Sequence, residues 1–114
     1  MKVIITNAFS FNMAQAGLSA SLMMEPIPPE FAPEIVGATI GEEWASAIGH
    51  ADLAAVASAS VGIKIPVNRT SVKLGVGVHH LLICQYQGPR LPEGAKELPE
   101  GASVAWLAVK VMVA

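Results

Sequence analysis

From Ala51 to Val61 the small or apolar positions Leu53, Val56, Ala57, Ser60 and Val61 recur at i, i+3, i+4, i+7 and i+8, and Gly62 stands where a left-handed residue ends a helix. This pattern predicts an amphipathic helix. It also sets the fold class, because other apolar stretches are β-branched or lack helical spacing. Val3-Ile4-Ile5 makes Lys2 to Thr6 a buried strand. Ser71 to Leu74, His79 to Tyr86 and Ser103 to Val113 read as further strands, with Gly75-Val76-Gly77 a tight connection between the first two. Ser19 to Met24 is a shorter extended piece closed by Pro26, Pro28 and Pro29. Pro29 to Val36 reads as one or two helical turns ending at Gly37. The expectation is an α/β fold, a small mixed β-sheet flanked by a few helices.

A chain of 114 residues holds one domain, here the whole span 1–114. Its apolar share of 53% against 14% charged argues against disorder and leaves more apolar surface than so small a body can hide. A symmetric homodimer is the simplest cover for it. The apolar stretch Ala102 to Val109 stops at Lys110, well short of the roughly 20 residues of a membrane span. The run after Lys2 is likewise too brief for a signal peptide. The chain is therefore expected in the cytoplasm, away from membranes. Cys84, the single cysteine, has no internal disulfide partner and reads as a small core residue.

Formal net charge is −2, with seven basic side chains. That balance disfavours sequence-blind binding of duplex nucleic acid, which depends on many Lys and Arg contacts to phosphate. A compact anion held by a few focused cations remains compatible with it. Gly49-His50 stands at the start of the predicted helix, where free N–H groups and the helix dipole favour an anion. His50 reads either as a capping residue or as a general acid able to give a proton to a leaving alkoxide. Arg90 and Glu93, three apart around Pro92, read either as an exposed ion pair or as a fork on phosphate with a carboxylate to orient it. Arg69 is a loop cation or a phosphate contact. Asn7, Ser10 and Asn12 add polar groups just after the first strand, where sheets commonly hold ligands. His79-His80 is a poor metal pair, since neighbours on a strand point to opposite faces. Leu-Pro-Glu-Gly-Ala occurs at 91–95 and again at 98–102, as two similar turns.

At Ile5 through Met13, Ser46 through His50, Val67-Asn68-Arg69 and Gln85 through Gly94, the chain resembles the viral ring nucleases and their bacterial relatives. These are anti-CRISPR proteins of type III systems that degrade cyclic tetra-adenylate. The resemblance implies a homodimer with the ring bound across its two-fold axis. His50 would be general acid, with Arg90 and Glu93 completing the catalytic group. Asn7, Ser10, Asn12, Gly49, Arg69 and Gln85 would contact the ligand. It further implies a reaction without metal or other cofactor, in which a ribose 2′-hydroxyl attacks the neighbouring phosphorus to give linear di-adenylates. A protein that holds or senses a cyclic oligoadenylate without cutting it would use the same pocket. Two departures stand out: Ala51-Asp52-Leu53 follows His50 where the family usually has an acidic residue and then Ser or Thr, and Pro89 precedes Arg90 where archaeal viral members have a polar residue.

Overall fold

The computed structural model describes residues 2–14, 19–74 and 78–113. In chain order the elements are β1 (Lys2–Thr6), β2 (Ala20–Ile27), α1 (Ala32–Ile40), β3 (Trp44–Ser46), α2 (Ala51–Val61), β4 (Val78–Gln87) and β5 (Ser103–Val113). Single 3₁₀ turns at Phe11–Met13 and Pro29–Phe31 punctuate them. The strands form one mixed sheet in the order β2-β5-β4-β1-β3. β1 runs parallel to both β3 and β4, whereas β5 runs antiparallel to β4 and β2. Three parallel strands therefore end on the same side of the sheet, and the segments that follow them gather there. In α/β sheets this is the side that receives ligands.

The two faces of the sheet are covered differently. Val3, Ile5, Leu82, Cys84 and Trp106 face α1 and α2, packing with Val36, Ile40, Leu53, Ala57 and Val61 in the larger core cluster. Each fully buried Leu or Ile there contributes roughly 1.5–3 kcal/mol. Ile4, Leu81, Ile83, Val109 and Val111 point the other way, onto Met13, Ala47 and Leu74, without either α-helix. On this face Leu22 and Met24 of β2 pair with Val111 and Val109 yet remain 41% and 55% exposed.

α2 spans the predicted residues. Gly62 closes it with φ of 70° and an N–H donated to the Ser58 carbonyl at 2.8 Å. Ser60, on its predicted inner face, accepts the Trp106 indole N–H at 3.0 Å and donates to the Ala57 carbonyl at 2.7 Å. A small hydroxyl at this position thus satisfies a buried indole that an aliphatic side chain would leave unpaired.

Elsewhere the chain departs from the sequence reading. β2 continues through Pro26 to Ile27, because an edge strand tolerates the missing donor. The helix after Pro29 does not stop at Gly37 but runs to Ile40, ending before Gly41 at φ of 56°. Pro33 lies in its first turn, where the lost N–H has no helical partner anyway. Residues 71–74 are not a strand, although the Leu74 N–H donates to the Met13 carbonyl at 2.8 Å. Their hydrogen bonding serves to brace the loop after β1. β3 was not anticipated. Gly75-Val76-Gly77 lies outside the described residues.

Cys84 is fully buried, as its apolar neighbours suggested. Burial pushes its thiol up to about 12. The unfolded chain releases that proton near about pH 8.5, so the stability it contributes is complete below that value and declines as pH rises through the folded pKa. Thermal melts from about pH 8 to about pH 11 should therefore fall more steeply for the native chain than for Cys84→Ala, by at most about 1.4 kcal/mol per pH unit. Parallel curves would contradict this account of the buried thiol.

Candidate functional site

The loops at the carboxyl ends of the parallel strands enclose a cleft of about 810 Å³, with His50, Asp52, Tyr86, Arg90 and Glu93 in its walls. Three stretches of chain deliver these groups: the start of α2, the end of β4 and the loop between β4 and β5. His50 is the N-cap of α2, with φ of −123° and ψ of 129°, and its side chain makes no capping hydrogen bond. Its carbonyl accepts the first helical bond, from the Ala54 N–H at 3.0 Å. The imidazole is thus exposed at the cleft and not engaged in holding the helix end.

Arg90 and Glu93 sit on an exposed loop that is tied down along its length. At its base Gly88 has φ of 148°, and a Cβ there would lie 2.7 Å from that of Ala102, so the two ends of the loop meet too closely for any other residue. Next to it the Tyr86 hydroxyl donates to the Pro89 carbonyl. Pro92 to Ala95 closes as a turn, with the Ala95 N–H donating to the Pro92 carbonyl at 3.1 Å and Gly94 at φ of 80°. The second Leu-Pro-Glu-Gly-Ala repeats that turn, with Ala102 to Pro99 also at 3.1 Å and Gly101 at φ of 81°. Only the first turn presents its glutamate to the cleft.

Arg69 is not in the cleft wall; it packs against Gly49, the residue before His50. The segment carrying it runs along the end of β3: the Asn68 N–H donates to the Ile48 carbonyl at 2.8 Å, and its side-chain amide donates to the Ser46 carbonyl at 2.8 Å. A Cβ built on Gly49 would meet the Arg69 side chain at 3.6 Å, an ordinary contact. Gly49 is therefore not demanded by packing against Arg69, and it is not in the cleft wall.

Asn7, Ser10 and Asn12 occupy the loop following β1, as expected, and are not in the cleft wall. The Ser10 hydroxyl accepts the Asn12 N–H at 3.2 Å, and the Lys73 ammonium donates to the Asn12 carbonyl at 3.1 Å. Phe9 and Met13, in the same loop, pack on the helix-free face. Gln85 is exposed on β4, its alternation placing it on that face also. The fold thus brings His50, Arg90 and Glu93 together and leaves Asn7, Ser10, Asn12 and Gln85 outside the cleft wall, at the same end of the sheet. His79 and His80 are neighbours on β4, and among the described residues no group of three or more His, Cys, Asp or Glu is arranged to hold a metal ion.

Sequence reasoning missed two polar side chains of the cleft, Asp52 and Tyr86. Asp52, in the first turn of α2, accepts the Gly94 N–H at 2.9 Å across 42 residues of chain. Its signal was an acidic residue near a helix start, which the dipole explains without any partner. Tyr86 read only as the end of a strand.

A cleft at the carboxyl ends of parallel strands, beside a helix start and walled by both polar and apolar side chains, marks a small α/β protein with a mixed five-stranded sheet. The chain belongs to the STIV B116-like family, whose model matches residues 3–101. Its fold is similar to that of B116 of Sulfolobus turreted icosahedral virus (STIV), at 25% identity and a TM-score of 0.76, over 96% of this chain and 99% of that one. No curated protein matches the sequence. No described helix is long and apolar enough to cross a membrane.

Proposed function

We propose that this chain is a metal-independent ring nuclease that cleaves cyclic tetra-adenylate to linear di-adenylates, and so switches off type III CRISPR signalling in the cytoplasm of a prokaryotic cell. The observation that carries this reading is the convergence on one cleft of His50 with Arg90 and Glu93, from two separate stretches of sequence. A ribose 2′-hydroxyl attacks the adjacent phosphorus in line, its proton passing to solvent, and forms a cyclic phosphate as the bond to the 5′-oxygen breaks. His50 gives its proton to that departing oxygen. Arg90 forks onto the phosphate as charge develops, and Glu93 orients the guanidinium or the attacking hydroxyl.

The active form in this reading is a homodimer, with the ring across its two-fold axis. Support comes from the edge strand β2, where Leu22, Met23 and Met24 all stand exposed. Pairing two copies doubles the His50, Arg69 and Arg90 sets around the ring without altering the acidic balance of either chain. Asn7, Ser10, Asn12 and Gln85 lie at the same end of the sheet but outside the cleft wall, which suits contacts to the adenosines rather than to the scissile bond.

Incubating the protein with labelled cyclic tetra-adenylate in EDTA tests the proposal. Linear di-adenylate ending in a cyclic phosphate is the expected product. Quantitative recovery of intact ring from a tight complex would instead identify a binding or sensing protein.

A further inference from the structure

We propose that Asp52 is a positioning residue, whose carboxylate sets the turn bearing Glu93 and, through it, Arg90 against the helix bearing His50. The inference rests on the ring-nuclease reading for its kinetic part and on geometry alone for the rest. Asp52 Oδ1 accepts the Gly94 N–H at 2.9 Å, joining α2 to the β4–β5 loop. The turn's own closing bond uses the Ala95 N–H, so the Gly94 N–H is left for this partner. With φ of 80° at Gly94, the turn keeps its shape whether or not Asp52 is present.

The duplicated sequence supplies an internal comparison. Residues 91–95 and 98–102 have the same five amino acids, the same Pro-to-Ala bond of 3.1 Å and nearly the same glycine φ, 80° and 81°. Yet Glu93 lines the cleft and Glu100 does not. Turn chemistry alone therefore does not make the site. What distinguishes the first copy is its bond to α2, the element that also fixes His50. Asp52 can hold this place because it is one helical step beyond Ala51, in the first turn, where the dipole also favours its charge.

The role of Asp52 is to hold a hydrogen bond, which an amide oxygen can replace. Asp52→Asn should then retain Gly94 amide protection against hydrogen exchange and a single-turnover rate within about threefold of wild type, while Asp52→Ala should lose the protection and slow about tenfold with affinity for the ring little changed. Wild-type protection and rate in Asp52→Ala would overturn the proposal. So would an Asn variant as slow as the Ala variant, since that would make charge, not the bond, the active property. If the native protein cuts no ring, the ring-nuclease reading fails separately. The exchange measurement then decides alone: loss of Gly94 protection in Asp52→Ala but not Asp52→Asn upholds the tether, and equal protection in all three removes it.

Discussion

His50→Ala should bind cyclic tetra-adenylate almost as well as the native protein and cleave it at least about 10²-fold more slowly. The imidazole is exposed and makes no capping bond, so its removal leaves α2 and the core untouched. Stability should change by no more than about 0.5 kcal/mol. An alkoxide is a poor leaving group unless it is protonated as it departs, and this is the step the variant lacks. A ring with sulfur in place of the departing 5′-oxygen needs no such proton, and should be cut by both proteins at similar rates. Single-turnover kinetics on the two rings therefore separate lost acid catalysis from lost positioning. An unimpaired rate on the oxygen substrate would remove His50 from the mechanism.

The elements with strong local patterns were legible in the sequence. β1, β4 and β5 are runs long enough to show their burial, and α2 has its period and its terminal glycine. β3 has only three residues, Trp44–Ser46, and owes its existence to the edge of β1 that it pairs with, a partner no local window reveals. The reverse error at 71–74 has the same cause. An extended, partly apolar segment became a strap over the helix-free face because β1 already had β3 and β4 beside it. Gly37 resembled a terminator but adopts helical geometry, and the positive φ that ends α1 belongs to Gly41.

The site was legible in its residue types more than in its arrangement. His50, Arg90 and Glu93 do meet, and the sheet explains why. β3 and β4 flank β1 in parallel, so the residues following each emerge at the same end of the sheet, one strand apart, although they are some 40 positions apart in sequence. The tether from Asp52 to Gly94 could not be read the same way, because it depends on one backbone amide facing one carboxylate. Arg69 is a similar case: its nearness to Gly49 follows from the Asn68 bonds to Ile48 and Ser46, which fasten an otherwise irregular segment along the end of β3.

Arg90→Ala should lower the cleavage rate by about 10²–10³ and, unlike the His50 variant, should also weaken ring binding. A guanidinium reaches two phosphate oxygens at once, and its fork holds the phosphorus in line with the attacking hydroxyl as negative charge grows. Arg90→Lys keeps the charge but not the fork, so it should recover affinity more fully than rate. Arg90 is exposed on the loop that Gly88, Tyr86 and Asp52 fasten, which leaves the fold indifferent to either change. Combining His50→Ala with Arg90→Ala provides the sharper measurement. Groups that stabilise one transition state fail together, so the double variant should lose clearly less than the product of the two single losses. Full multiplication of the two defects would mean that imidazole and guanidinium act at different places, and the shared cleft would then have to be read as a binding surface with its chemistry elsewhere.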